Sequence, residues 1–252
     1  MPSQAYRQME GINYSSLKHM LAGPDVYKFW KENPFPTSPA MKLGELIHLA
    51  VLEPEEFEKH VYFAGKHNRA TNVGKEAYAR ELEEAGARIM ATPEEKLAID
   101  RALLALSRSD YWKELLMHGE PQIEVAMQWL DEESGYTLKG CADFILDAPT
   151  LGPYVIDLKT SREMLNIWDV RRYHYDMQAA YYLEGYKALT GRDADFMWMV
   201  IETAEPYGCQ IVSPNPDIIA SGKTKMRECL NKLKQAEESG DWYSRYNQIT
   251  VI

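Results

Sequence analysis

The sequence predicts an α/β protein with a central sheet of mixed strand direction and helices on both faces. Three strand-like runs follow one another at about residues 122–130, 137–146 and 153–160. Helical patterns precede them, and a helix over about 173–189 separates them from two more strand-like runs near 194–203 and 207–213. The order helix, three strands, helix, strands, helix is that of a mixed sheet covered on both sides.

Each element has its own signal. Asn13-Tyr14-Ser15-Ser16-Leu17-Lys18-His19-Met20-Leu21 reads as a short helix capped by Asn13 or Ser15. Pro34, Pro36 and Pro39 mark a loop. From Met41 to Leu52 apolar residues recur at helical spacing, and Pro54 stops the pattern. Gly65 to Thr71 is polar and basic and leads into a loop around Asn68-Arg69-Ala70-Thr71-Asn72. Helical patterns then cover 74–86 and 93–117. The second opens on Thr92-Pro93-Glu94-Glu95, a cap with proline at the first helical position. The connections of the three consecutive strand runs, Asp131-Glu132-Glu133-Ser134-Gly135 among them, read as turns of a meander. A last helix spans about 215–238 and an aromatic tail follows. With no repeat, low-complexity tract or Ser/Gly linker, residues 1–252 are expected to form one domain.

Composition narrows the function. At 45% hydrophobic and 26% charged, the 252 residues suit a globular chain with a sizeable core. No apolar run approaches the roughly 20 residues that span a bilayer, and Met1 to Arg7 lacks a signal-peptide hydrophobic region. A cytoplasmic location without membrane contact is therefore expected. Cys141, Cys209 and Cys229 are widely spaced and form no CxxC pair, which argues against zinc ribbons, iron–sulfur clusters and a disulfide framework. The net charge of −10 argues against a broadly basic nucleic-acid surface. It is compatible with a pocket of carboxylates beside a local basic channel. The phosphate loop, dinucleotide fingerprint, HExxH helix and GxSxG elbow are all missing from the sequence.

The most informative segment is Val155-Ile156-Asp157-Leu158-Lys159-Thr160. Strand side chains alternate, so Asp157 and Lys159 emerge on one face while Ile156 and Leu158 enter the opposite layer. Asp143 lies on the preceding strand and Glu124 on the one before it. Carboxylates on adjacent strand ends can hold a divalent cation, and a lysine beside them can stabilise charge on a phosphate. An Asp-x-Lys alone reads equally well as a surface ion pair; the Asp143 and Glu124 strands tip the reading toward a site. Gln178 and Tyr182, four apart on one helical face, can hydrogen-bond a phosphate or position the lysine. His48 by itself reads as a core or helix-end histidine. Arg69 and Lys75 flank a polar loop, and Arg171 and Arg172 precede Tyr173-His174-Tyr175. These four are candidate DNA contacts, the last pair by their basic and aromatic surroundings.

Taken in order, these residues resemble the PD-(D/E)xK nuclease superfamily, and within it the nuclease domain of RecE-type exonucleases (exodeoxyribonuclease VIII) of phages and prophages. The resemblance begins at Leu17 and passes through Leu43-Gly44-Glu45-Leu46-Ile47-His48 and Leu52-Glu53-Pro54-Glu55-Glu56-Phe57. It continues through Asn68 to Lys75, then Glu124 with Trp129, Asp143, Asp157-Leu158-Lys159-Thr160, and Gln178 with Tyr182. It implies a metal held by His48, Asp143, Asp157 and the Leu158 carbonyl, with Glu124 as a further acidic member and Lys159 as the catalytic lysine. Gln178 and Tyr182 would support Lys159 or contact DNA. The cofactor implied is Mg2+, with Mn2+ as a substitute. The implied activity is 5′ to 3′ degradation of linear double-stranded DNA, leaving 3′ single-stranded tails for recombination. A ring-shaped homo-oligomer, a single-strand annealing protein as partner and a bacterial host cytoplasm complete the expectation. A structure-selective or nicking endonuclease of the same fold, and a non-catalytic recombination or assembly subunit, are the alternatives. The sequence departs from its relatives at Cys141-Ala142-Asp143-Phe144, where they carry basic neighbours around the aspartate.

Overall fold

All five strand-like runs pair, and they pair into one sheet. The computed structural model describes residues 4–33, 36–68, 70–148 and 151–243. Along the chain come α1 (Gln4–Gln8), β1 (Ile12–Asn13), α2 (Tyr14–Leu17), a 3-10 turn (Lys18–Leu21) and α3 (Pro24–Glu32). Then follow α4 (Pro39–Leu52), α5 (Pro54–His60), β2 (Val61–Phe63), α6 (Asn72–Ala85) and β3 (Ile89–Ala91). Next are α7 (Pro93–Arg108), α8 (Asp110–Met117), β4 (Gln122–Leu130), β5 (Thr137–Ala148) and β6 (Gly152–Ser161). The last elements are α9 (Ile167–Arg172), α10 (Tyr175–Thr190), β7 (Asp195–Glu202), β8 (Cys209–Val212) and α11 (Pro216–Ser239).

The six-stranded sheet runs β1-β5-β6-β7-β8, with β4 also paired to β5. The β4–β5, β5–β6 and β7–β8 pairs are antiparallel, whereas β1–β5 and β6–β7 are parallel. The mixed direction expected from the sequence is therefore present. One face packs Val155, Trp198, Met127 and Leu138 against α10, α11 and the segment from α2 to α3, through Met177, Tyr181, Leu230, Leu17 and Met20. The other face packs Phe144, Ile156, Leu158 and Met199 against α4, α7 and α8, through Leu46, Ile47, Ile99 and Trp112. Among the described residues no helix is long and apolar enough to cross a membrane.

Local chemistry sets most boundaries. Asn13 caps α2, its side chain accepting from the Ser16 amide at 2.8 Å. Thr92 and Glu95 form a reciprocal capping box at the start of α7. The expected helix over 93–117 is two helices. Ser109 takes an extended ψ of 111°, and its hydroxyl accepts from the Trp112 amide to cap α8. The helix expected at 173 begins at Tyr175, because His174 is left-handed at φ 58°; α9 precedes it as a separate turn. Pro54 ends α4 as expected and also opens α5, a first-turn position that needs no amide hydrogen. β2 and β3 gave no periodic signal: each is three residues long, and their parallel pairing joins segments far apart in the chain.

α10 and α11 touch at a glycine. A Cβ on Gly222 would lie 2.0 Å from the Asp176 carbonyl oxygen and 3.0 Å from the Ala180 methyl. Nearby, Asp176 is buried and accepts from Lys225 Nζ at 2.7 Å and the Ser221 hydroxyl at 3.0 Å, tying the same helices together. Gly222→Ala is expected to lower stability by about 1–3 kcal/mol through overpacking. Chemical denaturation checks this, and an unchanged midpoint would show that the helices are not held at this spacing.

Candidate active site

The sheet opens where β6 leaves β5. Their ladder runs from Ala148–Gly152 to Phe144–Ile156 and stops. Beyond it β6 stays with β7, register Asp157–Trp198 to Ser161–Glu202, while β5 meets β1 only at Leu138 and Lys139. Between those contacts, one edge of β5 from Gly140 to Asp143 has no strand partner. The Leu158 amide, deprived of a ladder carbonyl, donates to Oδ2 of Asp143 at 2.6 Å. The carboxylate thus takes the place of a backbone acceptor, which satisfies a buried donor and anchors Asp143 in the mouth of the wedge.

The alternation along β5 reverses at the same point. Ala142 packs beneath α10, whereas Phe144, two residues on, packs beneath α4 and α7. Opposite, on β4 between Ile123 and Val125, Glu124 has φ 50°, a left-handed conformation seldom taken by a residue with a long side chain. A left-handed residue turns the pleat over, so β4 and β5 kink together. Glu124 Oε2 accepts from the Cys141 thiol at 3.4 Å, and both line the same cavity as Asp143.

Asp157 and Lys159 do share a face, and Lys159 Nζ pairs with Asp157 Oδ2. Gln178 Nε2, from α10, donates to Asp157 Oδ1 at 2.8 Å. Gln178 therefore holds the aspartate rather than the lysine. Lys159 Nζ also lies 4.8 Å from the Tyr175 ring centroid. His48 approaches from the other side of the sheet. Its helix passes close over β6 at Gly44, where a Cβ would stand 3.0 Å from Thr160 Oγ1. One turn later His48 Nδ1 is 3.9 Å from Asp143 Oδ2, and its ring is hydrogen-bonded to the Leu158 backbone. Gly44 and His48 thus act as one unit at i and i+4. Tyr182 lines the cavity beside Gly140.

Burial dominates the electrostatics. It pushes the Asp143 carboxyl well above the usual range, the Asp157 charge adds to this, and Lys159 only partly offsets it. Asp157 is raised by burial as well, against the pull of Lys159. Burial alone would lower Lys159, but the charges of Asp157 and Asp143 outweigh it and hold the ammonium protonated. His48 is pulled down to about 4 by burial and by the Lys159 charge, so it is neutral at pH 7 and has a lone pair to offer. Tyr182 is raised by burial and by both aspartates.

The two poorly solvated carboxylates and the backbone carbonyl are oxygen donors that suit a hard divalent cation, and the neutral imidazole adds a borderline nitrogen donor. Among the described residues no three His, Cys, Asp or Glu side chains already surround a common point.

The cavity, about 800 Å³, brings together His48, Glu124, Asp143, Asp157, Lys159, Gln178 and Tyr182. It is also lined by residues not anticipated from the sequence: Tyr6, Arg7, Asn13, Tyr14, Glu45 and Lys139 among them. The segment after α1 reaches the site because Lys139 Nζ donates to the Met9 carbonyl at 2.6 Å and Gln128 Nε2 to the Glu10 carbonyl at 2.8 Å. No local pattern announces such long-range contacts. Lys75 is exposed on α6 and Arg171 and Arg172 on α9; none lines the cavity. Arg69 lies outside the described residues.

Two outcomes test this electrostatic account in EDTA. An aspartate whose folded pKa is raised costs stability at neutral pH, and that cost recedes as the pH falls and the carboxyl is protonated. Asp143→Asn, which keeps an acceptor for the Leu158 amide, is therefore expected to raise the thermal midpoint at pH 7. The gain is about 2–4 °C for each kcal/mol relieved. An unchanged or lower midpoint would contradict it. For His48 the sign is opposite. The unfolded chain binds a proton from about pH 6.5 downward that the folded site refuses until about 4, so His48 removes stability as the pH falls through that window. Its imidazole resonances should titrate near 4 by NMR, and a midpoint near 6.5 would show a solvated ring.

The fold and family can now be placed. A crystal structure from Eubacterium rectale, described as a "Putative exonuclease", superposes with a TM-score of 0.60 at 15% identity, covering 96% of this chain and 90% of that one. This likeness concerns the fold. A second solved structure, SSO0001, aligns at 17% identity over 84% of each chain, but its TM-score is only 0.34. No curated protein matches the sequence. The family model described as "PDDEXK-like domain of unknown function (DUF3799)" matches residues 13–251, and the chain belongs to that family.

Proposed function

We propose that this protein is a Mg2+- or Mn2+-dependent DNA exonuclease. It degrades linear duplex DNA 5′ to 3′ and leaves 3′ single-stranded tails for recombination. The observation that carries the reading is the juxtaposition of Asp143, Asp157 and Lys159 in the β5–β6 wedge, opening into a large groove. Membership of a PDDEXK-like family and the exonuclease description of the Eubacterium rectale protein support it. His48, Asp143, Asp157 and the Leu158 carbonyl would hold the cation, with Glu124 as a further acid at the rim. When bound, it would supply Lewis-acid chemistry to a phosphodiester.

The chain's own groups do the rest. Protonated Lys159 sets positive charge where a phosphoryl oxygen gains negative charge, and burial makes that charge count for more than in water. Gln178 fixes the rotamer of Asp157, and neutral His48 keeps a lone pair free. Duplex ends as substrate, a ring-shaped homo-oligomer, a single-strand annealing partner and a bacterial cytoplasm belong to the same proposal. Enclosure by a ring would let a chain of net charge −10 retain DNA through local basic contacts, among them Arg171 and Arg172.

The test is digestion of end-labelled linear duplex against covalently closed circles, with magnesium and with EDTA. Magnesium-dependent loss of 5′ label from the linear form alone is expected. Cutting of the circle would make the protein an endonuclease of the same fold, and no cutting with any divalent metal would make it a non-catalytic subunit. Asp157→Ala and Lys159→Ala are each expected to lower the rate by about 10²–10³-fold or more. Their circular dichroism should stay native, and full activity in both would refute the assignment.

A further inference from the structure

An aromatic and basic track leads out of the site along α9 and the start of α10. It starts at Lys159, whose Nζ lies 4.8 Å from the Tyr175 centroid. Tyr175 faces Tyr173, centroid to centroid 5.5 Å at 35°. The Arg172 guanidinium sits 5.5 Å from the Tyr173 centroid, and that of Arg171 sits 5.9 Å from the Trp168 centroid. Residues 168, 171 and 172 share a helical face. Trp168 is 72% exposed and Tyr173 47% exposed, large ring areas left in water. Their backbone is held firmly: Asn166 and Asp169 form a capping box on α9, and Tyr14 Oη donates to the Tyr173 and His174 carbonyls.

The charges suit an anionic ligand. Arg192 is paired with Asp147 and the half-buried Arg227 with Asp131. Arg171 and Arg172 are exposed and, among the described residues, contact aromatic faces and no carboxylate. Cations without counter-charges on a chain of net charge −10, interleaved with open rings, match a polyanion whose units carry π-faces.

We infer that Trp168 and Tyr173 form a stacking platform for the unpaired bases of a single-stranded nucleic acid leading to or from Lys159, with Arg171 and Arg172 on its phosphates. This rests on the nuclease reading for the direction of the track, but not for the binding itself.

The experiment is fluorescence anisotropy of a labelled single-stranded oligonucleotide and of a blunt duplex of equal length, in EDTA. The parent protein should bind the single strand more tightly. Trp168→Ala and Tyr173→Ala should each weaken that binding about ten-fold, while Trp168→Phe restores most of it. The salt dependence should persist in Trp168→Ala and fall by about one counterion in Arg171→Gln. Trp168→Ala binding as tightly as the parent, or no preference of the parent for the single strand, would overturn the platform. If duplex cleavage persists in magnesium in that case, only the track is lost. If the single strand binds through Trp168 and nothing is cut, the platform stands and the nuclease reading falls.

Discussion

The hydrogen bond from the Leu158 amide to the Asp143 carboxylate is the constraint on which the site depends. A sheet strand that leaves its neighbour exposes unpaired amides, and in a buried setting each must find an acceptor. Here the acceptor is the Asp143 carboxylate, which lines the candidate site. The bond that keeps the wedge open therefore also fixes Asp143, and places it beside Asp157 at the moment β6 turns toward β7. One carboxylate thus caps a strand amide and lines the cavity, which ties the geometry of the candidate site to the topology of the sheet.

Around that bond the site is costly by design. Asp143 and Asp157 are pushed up by burial, Asp143 further by the charge of Asp157, and Lys159, the Leu158 amide and Gln178 offset this in part. Glu124 adds a left-handed strand residue to the same few ångströms. Strain and unrelieved charge gathered in one cleft are the pattern of a site tuned for binding rather than for stability. The rest of the fold absorbs the cost through two apolar layers on either side of the sheet.

The two layers divide the labour. α4 brings His48 to the site from one layer, its approach set by Gly44 over Thr160. α10 brings Gln178 and Tyr182 from the other. Neither helix alone makes a site; the wedge is the place where both layers reach the same space, because the sheet between them is parted there.

Much of this was legible in the chain. Alternation placed Asp157 with Lys159, and helical periodicity with the caps at Asn13 and Thr92 placed α2, α4, α6 and α7, because these signals act over a few residues. What stayed hidden acts across long separations. Strand pairing decided that Asp143 would bond Leu158, and that Gln178 would hold Asp157 and not Lys159. Packing of the first residues onto β4 and β5 decided that Tyr6 and Arg7 would line the groove. The kink at Glu124 also escaped, since a residue with a long side chain at φ 50° has no signature in the sequence and is imposed by the paired strand. Backbone geometry acts locally, so the order of residues already settles which groups are available and which face of each element they occupy. Which of them meet depends on where a strand loses its neighbour and which buried donors must then be satisfied, and that is settled when the layers assemble.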